Sequence, residues 1–188
     1  MLDQLMNLVK ENAGSAVINN PAVPNEKKDA VINEASNSIT GGLQNMFSNG
    51  NAQDILKMFS GKEDVASSPV TNNISGGVVQ NLMDKFGLDR SAASGVANNL
   101  VPNVMQNMVD KTNDPKDSSF DIQSIFNNLS GGSTSGFNMQ ALLNKLKGVG
   151  LDKDKDGDVD LQDLMKLLPG GGTNGGGGIL DKVKGMFN

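Results

Sequence analysis

The sequence predicts an all-α protein, in which a helical bundle is followed by a tethered helix-loop-helix unit with glycine-rich linkers. Apolar residues recur at helical spacing along most of the chain, and no stretch alternates convincingly with a period of two. Glycine-rich segments separate the last part of the chain into short units. With 188 residues, of which 23 are glycine, the chain suffices for one ordinary domain with linkers.

The spacing of the apolar residues, together with the residues that break this spacing, predicts the first helices. One helix is expected from about Leu2 to Asn12, and a longer one starts near Asn25 and Glu26. The Gly41-Gly42 pair costs about 1 kcal/mol per glycine relative to alanine, so it is the weakest point of the longer helix and a candidate break. Asn51 is placed to cap a short helix after it.

The best-patterned pair of helices follows Pro69. The first starts at about Val70, has apolar residues every four positions, and ends at Gly87. Asp89 is placed to cap the second helix, which Pro102 interrupts, so that a kink or a fresh start is expected there. The Met and Leu stripes of both helices are expected to pack in a core rather than to form a partner surface.

Composition shifts beyond residue 115 and defines the domain boundaries. Residues 1–115 are assigned to the helical domain, and residues 116–136 to a short helix, from Phe120 to Leu129, with a Gly/Ser linker. Residues 137–169 form the helix-loop-helix unit, and residues 170–188 form a glycine-rich linker with a short amphipathic tail.

The strongest site signal lies between Asp152 and Asp163. Counted from Asp152, aspartates occupy positions 1, 3, 5, 7, 9 and 12, and Gly157 occupies position 6. A hard divalent cation needs six or more oxygen ligands, which alternate residues supply only if the chain reverses sharply at its middle, as glycine permits. The candidate ligands are Asp152, Asp154, Asp156, Asp158, Asp160 and Asp163, of which Asp158 would bind through its backbone carbonyl.

This spacing resembles the calcium-binding loop of the EF-hand family. Apolar residues at helical spacing flank the loop on both sides, with Met139, Leu142, Leu143 and Leu146 before it and Leu161, Leu164, Met165 and Leu168 after it. The resemblance implies binding of Ca²⁺ by a unit of residues 138–168. Position 12 is usually glutamate, and the shorter Asp163 predicts weaker binding with more competition from Mg²⁺.

EF-hand loops generally work in pairs, and no second loop is predicted here. The nearest acidic stretch, from Asn113 to Asp121, lacks both the glycine and the alternation of carboxylates. A single loop has three explanations, namely a structural clip, a partner loop from another copy of the chain, or a degenerate remnant. The sequence leaves all three open.

The helical domain resembles a second family. The stretch Ile74 to Asp89, followed by Ala92 to Ala97 and by Leu100-Val101-Pro102, is similar to the YidB-like family of bacterial proteins of unknown function. The similarity covers roughly residues 1–115. It implies a small all-helical bacterial domain, and it implies no activity and no functional residues.

Composition limits the other functions. Cysteine and histidine are absent, which removes thiolate chemistry, the usual general base and the usual zinc ligand, so we expect no enzymatic activity. The loop contributes −4 to the net charge of −5, which leaves no basic surface for nucleic acid. No apolar stretch of the sequence is long enough to span a membrane, and the first residues do not resemble a signal peptide. A cytoplasmic location is therefore expected.

Two functions therefore follow from the sequence. The first is binding of calcium, or another divalent cation, by a non-enzymatic protein whose apolar C-terminal tail docks on the helix-loop-helix unit. The alternative is a self-associating helical scaffold in which the loop is only a local structural clip. The expected partners are thus the calcium ion and either a second copy of the chain or another protein. A metal-dependent hydrolase is a third and weaker class.

Overall fold

The part of the chain that the structure describes is mostly helical. The structure, a computed structural model, describes residues 2–132, 138–141 and 143. Of these residues 78% are helical and none belongs to a strand, which confirms the all-α prediction. The loop from Asp152 to Asp163 and the chain after it lie outside the described residues.

The described chain forms α1 to α6 in order, joined by short connections. The helices are α1 Leu2–Ala13, α2 Lys28–Ser48, α3 Ala52–Phe59, α4 Pro69–Phe86, α5 Arg90–Asn113 and α6 Ile122–Leu129. A π-helical turn, Gly14–Ile18, continues α1, and 3₁₀ turns at Asn25–Lys27 and Val65–Ser67 precede α2 and α4.

The ends of α4 and α5 are fixed by the residues that the sequence indicates. At the start of α4 the Ser68 hydroxyl accepts a hydrogen bond of 3.1 Å from the Thr71 N–H. The helix ends at Gly87, whose φ of 64° is a left-handed conformation that costs glycine little. The Asp89 carboxylate then accepts a 2.8 Å bond from the Ala92 N–H, which confirms the predicted cap of α5.

Neither of the two positions at which an interruption is expected ends a helix. Helix α2 runs through Gly41-Gly42, and α5 runs through Pro102 as a single helix, so of the two alternatives at Pro102, a kink or a fresh start, the fresh start is wrong. Buried apolar residues lie on both sides of each interruption, and their packing outweighs the local cost of glycine or proline. Asn51 does precede α3, but its side chain makes no capping hydrogen bond.

All six helices contribute to one apolar core. Helix α4 contacts both α2 and α5, and α1 contacts the same two helices. The largest fully buried side chains are Phe59, Leu5, Ile39, Leu43, Ile55, Leu56, Met58, Ile74, Leu82, Leu100, Met105 and Met108. The leucines of α4 and α5 and the methionines of α5 therefore pack inside the bundle, as the sequence predicts, while Met83 of α4 is partly buried.

The surface of the described chain has little apolar character. Ile18, with 48% of its surface exposed, is the one exposed large hydrophobic residue among the residues described. Within the same residues, no helix combines the length and the hydropathy that crossing a bilayer requires.

The interface between α2 and α4 is close and partly polar. Gly42 lies so near α4 that a Cβ placed on it would be 3.0 Å from Ile74 Cγ1. Farther along the same interface, Lys85 Nζ lies 2.7 Å from Glu34 Oε2, and Ser38 accepts a 2.8 Å bond from Asn81 Nδ2. A glycine at the closest point thus lets the two helix backbones approach.

Helix α6 packs on the far end of α2. Its apolar residues, which are Ile122, Ile125, Phe126 and Leu129, are all buried in the common core. The rings of Phe47 and Phe126 meet edge to face, with centroids 5.8 Å apart and an interplanar angle of 80°. The short helix after residue 120 is therefore part of the bundle's packing.

Alanine substitutions at Gly41 and Gly42 of α2 are expected to change the free energy of unfolding by amounts that differ in sign or in size. A Cβ at Gly41 enters open space, so Gly41→Ala should raise the free energy of unfolding by up to about 1 kcal/mol through helix propensity. At Gly42 the new methyl group crowds the buried Ile74, so Gly42→Ala should gain less or lose stability. Urea unfolding of the two variants measures the difference.

The control for this comparison is the Ile74→Ala background, in which the crowding is removed. There the two glycine variants should differ less than in the wild-type background. Equal stabilisation by both substitutions in the wild-type background would contradict the close approach of α2 and α4.

Candidate metal-binding site

The six predicted ligands, which are Asp152, Asp154, Asp156, Asp158, Asp160 and Asp163, all lie outside the described residues. Within the residues that the structure does describe, no group of three or more acidic side chains is arranged to hold a metal ion. The structure therefore bears on the candidate site only through the described residues that precede the loop.

A helical segment begins at residue 139, where the first helix of the predicted unit was expected. The Asn138 side chain accepts a 2.8 Å hydrogen bond from the Ala141 N–H, which is the contact of a helix cap. Residues 139–141 and 143 are helical. We call residues 138–141 and 143 the approach segment.

The approach segment is packed on the bundle. Met139 is 6% exposed and Leu143 is fully buried, and both belong to the same core as the apolar residues of α6. The Met139 N–H also donates a 2.9 Å hydrogen bond to Oε1 of Gln123 in the first turn of α6. The hydrogen bond to Gln123 and the burial of Met139 and Leu143 therefore hold this segment against the bundle.

A tight turn ends α6 before the approach segment. Gly132 donates to the Asn127 carbonyl at 2.8 Å, and Gly131 donates to the Asn128 carbonyl at 3.4 Å. This pair of bonds, with Gly131 at a φ of 59°, is the Schellman arrangement that commonly closes a helix. The first two residues of the predicted Gly/Ser linker thus terminate α6.

The acidic stretch between α5 and α6 has no common centre for a cation. Asp114 accepts a bond from the Lys116 N–H at 2.9 Å, and Asp121 accepts one from the Ser124 N–H at 2.8 Å as the cap of α6. The Asp117 carboxylate accepts bonds from Ser119 and pairs with Lys111 at 3.0 Å. Each carboxylate satisfies a separate local turn, in accord with the sequence argument against a second loop.

The contacts of Asp117 shift its acidity. Hydrogen bonds from the Ser119 hydroxyl and N–H, followed by the bond from Lys111, lower the pKa of the Asp117 carboxyl from 3.8 to about 2. The same pair raises the pKa of the Lys111 ammonium, chiefly through the hydrogen bond to Asp117. These groups are partly buried and have a structural role, because they fix the turn that leads into α6.

Comparisons with known proteins give no relative of this chain: no family model, no curated protein and no solved structure matches it. The two family resemblances therefore stay predictions, and each depends on the residues quoted for it.

Sequence patterns did not indicate the role of Gln123. Its bond to Met139 joins residues 16 positions apart, across a turn, and a single glutamine on a short helix has no spacing that indicates such a partner. The sequence places Met139 and Leu143 in an apolar stripe at helical spacing, but it does not indicate which surface that stripe covers.

We expect the Asp117 titration to depend on Ser119 more than on Lys111. Ser119→Ala removes the hydroxyl bond that is the largest cause, and should raise the Asp117 pKa from about 2 toward 3.8, whereas Lys111→Met should raise it less. Because the pKa is lowered on folding, the stability that this carboxylate contributes is present above pH 3.8 and is lost as the pH falls through about 2. NMR titration of the Asp117 carboxyl carbon measures both shifts.

A wild-type Asp117 that titrates near 3.8 would show that the Ser119 and Lys111 bonds do not persist in solution. A larger effect of Lys111→Met than of Ser119→Ala would reverse the order of the two causes.

Proposed function

We propose that the protein binds Ca²⁺ through the loop from Asp152 to Asp163. In this proposal the side chains at positions 1, 3, 5, 9 and 12 and the backbone carbonyl of Asp158 provide the ligands. The observation that supports it is the coincidence of carboxylates in every ligand position with Gly157 at the position that needs a sharp turn.

The approach segment gives this proposal structural support at one end. An EF-hand loop requires a helix before its first ligand, and a capped helix begins at residue 139 with Met139 and Leu143 buried on one side. A solvated acidic linker would not need such an anchored helix.

The chemistry of position 12 bears on which cation is bound. Asp163 is one methylene shorter than the usual glutamate, so it more easily coordinates through one oxygen only. Fewer ligands favour the smaller, octahedral Mg²⁺ over Ca²⁺. In a cytoplasmic setting, where free calcium is low, Mg²⁺ would occupy the loop at rest and Ca²⁺ would have to displace it.

The proposal also includes the setting in which the cation is bound. The resemblance of residues 1–115 to the YidB-like family supports a bacterial protein. The absence of histidine and cysteine from the whole chain supports a binding protein rather than an enzyme.

The alternative of a self-associating scaffold has less support. Self-association through a stable interface usually needs an exposed apolar patch, and in the described part of the chain Ile18 alone is a large exposed hydrophobic residue. In one form of this alternative, two copies of the chain share one bound ion. The number of ions bound per chain distinguishes this form from a site in each chain.

Calorimetric titration of the full chain with Ca²⁺, with and without millimolar Mg²⁺, tests the proposal. We expect about one ion per chain and loss of binding in Asp152→Ala, because Asp152 supplies a side-chain ligand at position 1. The matched control is Asp158→Ala, which removes the same charge from the same loop but leaves the backbone carbonyl at position 7. It should retain most of the affinity.

Three results would contradict this interpretation. Absence of binding, checked by equilibrium dialysis in Ca²⁺ and in Mg²⁺, would exclude a working loop. Equal losses in Asp152→Ala and Asp158→Ala would indicate unspecific attraction to a charged segment. Half an ion per chain would support the shared site of the scaffold alternative.

We further expect Asp163→Glu to strengthen calcium binding. The longer side chain reaches the ion with both oxygens, so the affinity for Ca²⁺ should rise by about tenfold, or about 1.4 kcal/mol, with a smaller change for Mg²⁺. The ratio of the two dissociation constants, measured by the same titration, gives the change in selectivity. An unchanged ratio would show that position 12 does not contact the ion.

A further inference from the structure

The turn that joins α2 to α3 contains Asn49-Gly50, the one Asn-Gly pair among the described residues. Asn49 follows the last residue of α2 directly and is exposed to water. Asparagine side chains are chemically labile in water, and they lose their amide group fastest where glycine follows, because a residue without a Cβ leaves its backbone nitrogen accessible. The turn therefore carries a reactive pair of residues at its surface.

The reaction at such a pair is deamidation through a five-membered ring. After base has removed its proton, the Gly50 backbone nitrogen attacks Cγ of Asn49 and forms a C–N bond, and the bond from Cγ to Nδ2 breaks as ammonia leaves. Water then opens the succinimide ring at either of its two carbonyl carbons. Opening at Cγ gives aspartate, and opening at the backbone carbonyl carbon gives isoaspartate, in which the chain continues through Cβ and Cγ of residue 49.

The attacking nitrogen is held by the turn. The Gly50 N–H donates a 3.2 Å hydrogen bond to the Phe47 carbonyl, and the Asn51 N–H donates a 2.9 Å bond to the carbonyl of Met46. With Gly50 at a φ of 87°, this pair of bonds closes α2 as a Schellman turn. Attack on Asn49 thus requires the bond between Gly50 and Phe47 to break.

The Asn49 side chain is also held in a geometry that does not react. Ring closure needs Cβ of Asn49 and the nitrogen of Gly50 to be nearly eclipsed about the Cα–C bond, whereas the Asn49 ψ of 12° turns the two atoms away from each other. The Asn49 Nδ2 donates a 2.8 Å hydrogen bond to Oδ1 of Asn45, one helical turn earlier in α2. Both restraints are lost when the turn opens.

We propose that Asn49 is a site of deamidation and that opening of the turn between α2 and α3 controls its rate. The closed turn protects the side chain, and the open turn presents an ordinary Asn-Gly pair to base and water. The reaction needs no bound cation, so this proposal is independent of the proposed function.

The reaction is irreversible in water, and each product changes the junction of the two helices. An aspartate at residue 49 places a negative charge at the C-terminal end of α2, where the helix dipole disfavours it. An isoaspartate adds one carbon to the backbone, so the Gly50 N–H loses its register with the Phe47 carbonyl. Because the Phe47 ring packs on Phe126, a turn that no longer closes would also weaken the contact between α2 and α6.

Peptide mapping by mass spectrometry tests the proposal on the full chain. The native chain and the urea-denatured chain are incubated at the same mildly alkaline pH, and the peptide of Asn49 is followed separately from that of Asn174, which also precedes a glycine. Asn49 should deamidate in the denatured chain to both isoaspartate and aspartate. In the native chain it should react more slowly by about tenfold or more, because only the open turn reacts.

Hydrogen exchange of the Gly50 amide gives a second measurement on the wild-type chain. Exchange and deamidation both require the bond from Gly50 to Phe47 to break. The protection of this amide against exchange should therefore equal the ratio of the denatured and native deamidation rates within about threefold.

Phe47→Leu tests whether the opening is local. It weakens the ring contact with Phe126 but keeps the Asn-Gly pair, so the native rate at Asn49 should rise by about threefold or more while the denatured rate stays the same. The matched control is Phe120→Leu, which makes the same exchange at another buried site and should change the native rate by less than about twofold. Should either variant fail to fold, the comparison of Gly50 exchange with deamidation decides the question in the wild-type chain.

Each contrary result overturns a definite part of the proposal. Absence of deamidation at Asn49 in the denatured chain would exclude the site, and aspartate without isoaspartate would indicate direct hydrolysis. Equal rates in the native and denatured chains would show that the turn gives no protection. Equal acceleration by Phe47→Leu and Phe120→Leu would show that the reaction passes through general unfolding rather than through opening of the turn.

Discussion

The close approach of α2 and α4 at Gly42 is the constraint on which the remaining packing depends. It places one end of α2 against α4, and α4 in turn contacts α5. Five residues farther along α2, Phe47 receives Phe126 of α6. The approach segment then packs beside α6 through Met139 and Leu143. The contact at Gly42 thus stands at the start of a series of contacts that ends at Leu143.

Charge contributes little to holding this bundle together. The described chain has ion pairs between Lys85 and Glu34 and between Lys111 and Asp117, and the two lysine side chains are 56% and 36% exposed. Water in contact with the lysines screens both pairs, so burial of apolar surface must supply most of the stability. The proposed loop is the opposite case, because six carboxylates within twelve residues repel one another until a cation neutralises them.

The helices were predictable because their signals are local. Ser68, Gly87 and Asp89 act within one helical turn of where they stand, and the structure uses Gly87 and Asp89 as the sequence predicts. Gly41-Gly42 and Pro102 are the exceptions, because their spacing in the sequence reveals only the local cost of glycine or proline in a helix. The buried residues that pack around them come from distant parts of the chain. The contact of Gln123 with Met139 was not predictable for the same reason. For the loop itself, the sequence gives the ligand types and their order, and the structure describes only the approach to it.

The placement of the methionines has a consequence for oxidative chemistry. Met58, Met105 and Met108 are fully buried, and the Thr71 hydroxyl donates a hydrogen bond of 3.9 Å to the Met58 sulfur. Oxidants in solution can reach these thioethers only when the bundle opens, and a sulfoxide formed there would place a polar group in an apolar core. With no cysteine in the chain to react first, sulfoxide at these positions would be a chemical record of past unfolding. The partly buried Met6 and Met83 are more accessible and would be modified before them.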